Sequence, residues 1–351
     1  MLNKNTNLII GKINSGKTRG ILLKEAKRAI QNEENLLFLD NKKEYYGTYA
    51  KELKEKGYNV LVFNLDDATK TNGWNPLSLP YYFYKKGQID LTVELVNSLG
   101  LDIFKADGQS MDPFWENTSA EYFTGLVLTL FKEAKEEEVN FGSIGTMISL
   151  GDKKIGDTTV IKKYVESLDP LNAIYVSMSP TAFAPNDTKA SIMSVVKQKL
   201  NIFLMRENLL NALNTNDIDL ANIKGKTAIF IIGKPELNSL ANVLISQVKY
   251  LPNYASFNFI LDNFDTLPVF KSLQIFVENA SFNGSKINVA VKNKEEMEEK
   301  YGKYVIDRFE NVLEVKEEKD LVEVGNYDVC PELKMNKHSY FNIEEFVKNI
   351  K

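Results

Sequence analysis

The 351-residue sequence contains a single cysteine, Cys330. No disulfide can form within the chain, and a reducing cytoplasm is its natural setting. A single histidine, His338, excludes a histidine-rich zinc site and argues against a histidine-based triad. It stands in a polar stretch, where a surface role is expected. Arginine is scarce: Arg19, Arg28, Arg206 and Arg308 are the whole set, and the net charge is −4. That balance gives no global attraction to nucleic acid, so any DNA contact has to be local. No apolar run reaches the roughly 18 residues of a transmembrane helix. The first residues are polar and lead directly into an apolar run, with no signal peptide expected. There is no internal repeat and no low-complexity linker. What the chain does have is 44% hydrophobic and 11% aromatic residues, enough for a globular core in one large domain or two.

The most informative stretch lies near the start. Leu8-Ile9-Ile10 reads as a buried strand and runs into Gly11-Lys12-Ile13-Asn14-Ser15-Gly16-Lys17-Thr18, which completes G-x-x-x-x-G-K-[ST]. Gly11 and Gly16 permit a sharp turn and close approach of backbone to phosphate. The amides of Asn14 to Thr18 can then converge on a β-phosphate, at the positive end of the following helix. Lys17 supplies a charge at the β/γ oxygens, and the Thr18 hydroxyl takes one Mg2+ position. Arg19 to Ile30 has helical apolar spacing, so strand, loop and helix come in the required order. The loop residues Gly11 to Thr18, with Arg19 after them, are the expected ATP-binding set.

Further strands are expected at 35–40, 59–64, 227–233, 257–262, 286–291 and 312–315, with helices between most of them. Alternation of strand and helix implies a parallel sheet covered by helices. Between about 80 and 222 the period is helical and no strand is evident. The expected organisation is an α/β nucleotide-binding domain in two parts, 1–80 and 223–351, the latter with a charged tail, and an all-α insertion at 81–222. Phe114, Trp115, Tyr122, Phe123, Phe131 and Phe203 stand at helical spacing and are expected in the core rather than on a base-stacking surface.

A phosphate loop needs a carboxylate on a neighbouring strand to hold Mg2+. Phe259-Ile260-Leu261-Asp262 provides one at a strand end, so Thr18 and Asp262 are the expected metal pair. Asn263 follows, where many motor ATPases have Glu. An amide positions water but cannot accept its proton. Asp265, on the same face as Asn263 if the strand continues, and Glu44 and Asp40, at another strand end, are alternative bases. Lys17, Asp262 and Asn263 form the expected catalytic group.

Several stretches together resemble the TraG-type coupling ATPases of conjugative type IV secretion. They are Gly11 to Thr18, Asp40-Asn41-Lys42-Lys43-Glu44, Gly57-Tyr58-Asn59-Val60, Phe63-Asn64-Leu65, Trp74-Asn75-Pro76-Leu77, Asp112-Pro113-Phe114-Trp115, Phe259 to Phe264 and Tyr301-Gly302. The resemblance implies a RecA-like motor domain with a helical insertion, hexamers, and ATP hydrolysis that drives DNA or protein-DNA complexes toward a secretion channel. It implies partners among secretion proteins and a cytoplasmic location, with any membrane contact made through those partners. The family's membrane-spanning N-terminal segment has no counterpart before the first strand. The family's Asp-Glu is Asp262-Asn263 here. Its arginines are absent from Ser281-Phe282-Asn283-Gly284-Ser285-Lys286, and Lys292-Asn293 stands where a glutamine is usual. Lys286 and Arg308 are the candidates to replace the missing charge. Two functions follow: a motor that turns over ATP, or an adaptor that binds it with little turnover. A small-molecule kinase is disfavoured, because the helical segment holds only Arg206 for a lid.

Overall fold

Seven short runs, most of them apolar on both faces, form one parallel sheet. The computed structural model describes residues 2, 4–105, 112–253, 255–270, 272–280, 284–317 and 320–350. Strand β1 (Thr6–Ile10) leads through the loop into a π-helical segment (Lys17–Leu22) and α1 (Leu23–Gln31). β2 (Asn35–Leu39), α2 (Glu44–Glu55) and β3 (Asn59–Asn64) follow. Then come α3 (Ser78–Lys85), α4 (Ile89–Phe104), α5 (Phe114–Glu133), α6 (Phe141–Leu150), β4 (Lys154–Ile155), β5 (Thr158–Thr159), α7 (Val160–Glu166), α8 (Ala173–Ala182), α9 (Asn186–Leu204) and α10 (Glu207–Asn214). β6 (Thr227–Ile232), α11 (Asn238–Val248), β7 (Phe257–Leu261), α12 (Leu273–Ala280), β8 (Lys286–Val291), α13 (Lys294–Tyr301), α14 (Lys303–Ile306), β9 (Asn311–Glu314) and α15 (Ile343–Asn349) complete the order. Among the described residues no helix is long and apolar enough to cross a membrane.

The sheet runs β3-β6-β2-β7-β8-β1-β9, every neighbour parallel. Strands buried on both faces are what such a sheet requires, and Leu8, Ile9, Phe38, Phe230, Ile260 and Ala290 are all fully buried. On one face α1 and α2 contribute Leu23, Ala26, Ile30, Tyr45, Tyr46 and Leu53 to the core. The ring of Phe38 stacks on Phe230 at 4.6 Å and on Tyr45 at 5.3 Å.

A chain of buried amides crosses four strands. Asn311 donates to Asn7 (3.1 Å), Asn7 to Asn288 (2.8 Å), and Asn288 to Asn258 (2.8 Å). Asn258 ends the chain by donating to Glu25 on α1 and to Glu34 (3.0 and 2.8 Å). Asn7, Asn288 and Asn258 each donate and accept, so these buried polar groups are paired. The network fixes α1, and with it the loop that precedes it, against the sheet.

Contacts divide the chain into two units. The first is Met1–Asn72 with Asn222–Glu332; the second is Gly73–Ala221 with Leu333–Lys351. These limits differ from the expected 80/81 and 222/223. Trp74 is fully buried and its amide donates to Ala212 of the second unit (2.8 Å), so the Trp-Asn-Pro-Leu turn goes with that unit. The final stretch goes there too. Asn211 donates to Lys334 O (2.9 Å) and contacts His338 Nε2 (2.7 Å), and Phe341 N donates to Ser143 Oγ (2.9 Å). His338 is therefore part-buried rather than a bland surface residue. The second unit is mainly helical, with α5 packed against α4, α8 and α9. It is not all-α: β4 and β5 form a two-residue ribbon around Gly156, whose φ is +59°. A ribbon this short gives no periodic signal. Within the unit, α8 carries Pro180 inside it. Tyr122, Phe123, Phe131 and Phe203 are buried as expected, whereas Phe114 is 46% exposed.

Candidate functional site

The loop between β1 and α1 opens onto a cleft of about 630 Å3 at the C-terminal ends of the strands. That is the edge at which open α/β sheets bind ligands. Ile13 to Arg19 form its floor; Asn41, Lys42, Glu44, Asn263, Thr266, Lys292 and Leu321 form its walls. Gly16 sits at φ +93°, a conformation open to glycine. A Cβ on Gly11 would reach within 2.7 Å of the Val315 carbonyl, so the close approach there also excludes a side chain.

Lys17 is buried and folds back on its own loop. Its ammonium donates to the carbonyls of Gly11 and Lys12, the latter at 3.0 Å. Burial pushes its pKa down, and Asp262 and Asp265 oppose this. The Thr18 hydroxyl donates to Asp262 Oδ2 at 2.6 Å. These two residues are 244 apart in sequence, and the pairing of β1 and β7 with β8 sets them side by side. The Ser15 hydroxyl is buried in the loop without a hydrogen-bond partner. An orphaned donor, a glycine cradle and a Thr–Asp pair fit a Mg2+-nucleotide.

Asp262 is almost wholly buried. Burial pushes its pKa up, against hydrogen bonds from Thr18, Tyr45 and the Asn263 amide. Tyr45 OH donates to Asp262 Oδ2 at 3.1 Å. Sequence reasoning missed Tyr45; its signal was a buried aromatic directly after Glu44 in the Asp-x-Lys-x-Glu stretch. Tyr45→Phe retains the ring stack and removes one donor to the Asp262 carboxylate. If Asp262 holds Mg2+, the apo-protein's Tm is expected to stay within a few degrees and Mg2+-dependent ATP affinity to fall about fivefold, the worth of roughly 1 kcal/mol for one hydrogen bond. Titration of ATP with and without Mg2+ checks this; an equal loss in both would refute a role through the carboxylate.

The three alternative bases separate clearly. Asp40 is buried and accepts from the Tyr46 amide at 2.7 Å, closing the first turn of α2, so it is a cap rather than a base. Burial pushes its pKa up to about 7, against bonds from three backbone amides and with Asp262 adding to the rise. A carboxyl with a raised folded-state pKa binds its proton more tightly in the folded chain. Its contribution to stability is present at low pH and is lost as pH rises from about 4 to about 7. Asp40→Asn retains the cap and removes this titration. The wild-type Tm is expected to fall more than the variant's between pH 5 and pH 8, as thermal unfolding across that range will show.

Asp265 does not share a face with Asn263. Asn263 has φ +52°, and Phe264–Thr266 is a 3-10 turn, so the extended continuation that reading required is absent. Asp265 instead pairs with Lys292 at 3.1 Å. Glu44 lines the cleft, with Arg19 3.8 Å away. Asn263 lines it as well, and its carbonyl accepts from Thr266 Oγ1 (2.7 Å), which in turn accepts from Asn41 (3.0 Å). The two candidates for the missing positive charge are engaged elsewhere: Lys286 with Glu34 (2.7 Å) and Arg308 with Glu278 (3.1 Å), and neither lines the cleft. Lys292, at the end of β8, does. Residues 281–283 of the arginine-poor segment lie outside the described residues.

The profile of the type IV secretory system conjugative DNA transfer family matches residues 4–309. The chain belongs to that family. No curated protein matches the sequence. Solved structures match it in fold. The bacterial conjugative coupling protein TrwBdeltaN70, in complex with sulphate, aligns with a TM-score of 0.62 at 12% identity, over 89% of this chain and 70% of that one. The plasmid coupling protein TrwB in complex with ADP and Mg2+ aligns at 0.60 and 11% identity, over 96% and 87%. TrwB with the ATP analogue ADPNP aligns at 0.59 and 10% identity, over the same shares. The conjugative DNA transfer chain thus has the α/β, RecA-like fold of TrwB, with a mainly parallel sheet carrying helices.

Proposed function

We propose that this chain is an ATP-binding coupling subunit that acts on DNA or a DNA-protein complex in conjugative transfer. The observation that carries the reading is the Thr18–Asp262 hydrogen bond at the mouth of the phosphate loop, in a member of the conjugative DNA transfer family. TrwB has been solved with ADP and Mg2+ and with ADPNP, which supports the same ligand class here. Lys17 leaves its loop carbonyls to meet the β/γ-phosphates, and Ser15 and the loop amides take the remaining oxygens. Thr18 and Asp262 hold Mg2+, which neutralises the phosphate charge when bound. Asn263 orients water, and Lys292 presents a positive charge at the Asp262 end of the cleft. Oligomerisation as a hexamer, contact with other secretion proteins and a cytoplasmic location belong to the same proposal.

A second reading keeps the binding and drops the turnover. The observation that favours it is Asn263, whose amide cannot take a proton. Steady-state ATP turnover by the purified chain, with and without single-stranded DNA, beside its ATP affinity, separates the two readings. Turnover raised by DNA supports a motor, binding without turnover an adaptor, and absence of ATP binding removes both.

A further inference from the structure

The cleft has two chemically different ends. At one stand Asp262, Asn263, Thr266 and Lys292, the polar groups at the ends of β7 and β8. At the other, since β9 flanks β1 on the side away from β8 and β7, a strap follows β9 beyond the loop. Val315 N donates to Ile10 O at 2.7 Å, and Val322 N donates to Arg19 O at 3.0 Å. Asp320 pairs with Lys24 at 2.7 Å. The strap then crosses α2, where Gly325 N donates to Thr48 Oγ1 (3.0 Å), Tyr327 N to Gly47 O (3.1 Å), and Tyr46 OH to Val329 O (2.7 Å). Several of its described residues are thus held against the first turn after the loop and against α2. From it Leu321 reaches the cleft wall, 46% exposed, beside the half-exposed side chain of Arg19.

Two large apolar side chains, Ile13 and Leu321, are exposed within a cleft that is otherwise polar or charged. Leu321 is thus an apolar side chain presented to the cleft by an anchored strap. The direction of the ligand follows from the loop. If Lys17, Thr18 and Asp262 take the β- and γ-phosphates, the α-phosphate and nucleoside continue away from Asp262. The lining groups on that side include Arg19, with Glu44 3.8 Å from it, and Leu321.

We propose, resting on the nucleotide reading above, that Leu321 and Arg19 form a nucleobase shelf that takes the purine ring of a nucleotide by apolar contact and guanidinium stacking. A guanidinium over a ring face and an apolar side chain beneath it suit any purine. Asp320 is committed to Lys24, and the Val322 amide to Arg19, so this part of the strap reads shape rather than hydrogen-bonding pattern. Adenine and guanine nucleotides are therefore expected to bind alike.

The test compares Kd values for ADP, GDP and inorganic pyrophosphate, in Mg2+, across wild type, Leu321→Ala and Leu321→Phe. Leu321→Ala is expected to weaken ADP and GDP about tenfold, the worth of a partly buried leucine, and to leave pyrophosphate within about twofold. Leu321→Phe is expected to restore nucleotide affinity. An unchanged ADP affinity in Leu321→Ala overturns the shelf. So does an equal loss of ADP and pyrophosphate, which would mean that the strap props the phosphate loop instead. A preference for one purine above about tenfold overturns reading by shape. Wild type that binds pyrophosphate but not ADP overturns the shelf alone, whereas wild type that binds neither removes the nucleotide reading on which it rests.

Discussion

Lys17→Ala is expected to weaken ATP binding roughly 100-fold and to abolish any turnover, since hydrogen bonds to charged groups contribute about 1.5–3 kcal/mol and this ammonium would serve two phosphates. The folded chain itself should tolerate the change. Lys17 is buried against two loop carbonyls, and burial disfavours its charge. Alanine removes that desolvation along with the bonds, so the apo-protein's Tm is expected to stay level or rise slightly. Calorimetric titration with ATP and thermal unfolding of the apo-protein check the two halves together. ATP affinity within about threefold of wild type would show that the loop does not hold phosphate through this residue.

The second large effect concerns turnover. A positioned general base contributes about 10²- to 10⁴-fold, and Asn263 cannot supply it. Asn263→Glu is therefore expected to raise kcat, but by less than that range. The position has φ +52°, a left-handed conformation that asparagine tolerates better than glutamate. Holding glutamate there costs on the order of 1 kcal/mol, and relaxing the turn instead would shift the 2.8 Å hydrogen bond that the Asn263 amide donates to Asp262 Oδ1. We expect a net gain of roughly tenfold in kcat with ATP affinity little changed, the catalytic term outweighing the strain. Single-turnover measurement with both proteins saturated in ATP reads this directly. If kcat falls while affinity holds, Asn263 is itself the water-positioning group and the strain argument is secondary.

The strain at Asn263 also shows where local reading ended. An extended continuation of β7 would have put Asp265 beside Asn263; the left-handed turn sends it to Lys292 instead. No apolar period reports a backbone reversal of one residue. Lys286 and Arg308 looked available because they were cations near the right strands. Their partners, Glu34 and Glu278, come from other segments, one of them some 250 residues away. The final stretch looked continuous with the sheet domain because it follows β9 in sequence. Asn211 and Ser143 hold it in the second unit.

By itself the sequence determined the parts whose cause is local. The apolar runs read as strands of a sheet largely buried on both faces, and Gly11 to Thr18 as a tight strand-to-helix loop, because glycine positions and hydrophobic period act within a few residues. It also marked Asp262 as an acid at a strand end. The tertiary structure alone decided what those parts meet. Strand order brought Asp262 within 2.6 Å of Thr18, the α2 packing laid Tyr45 on the same carboxylate, and the strap returned Leu321 to the cleft. Each of these contacts joins distant segments, and their pairing depends on the order in which strands assemble, which no short-range pattern encodes.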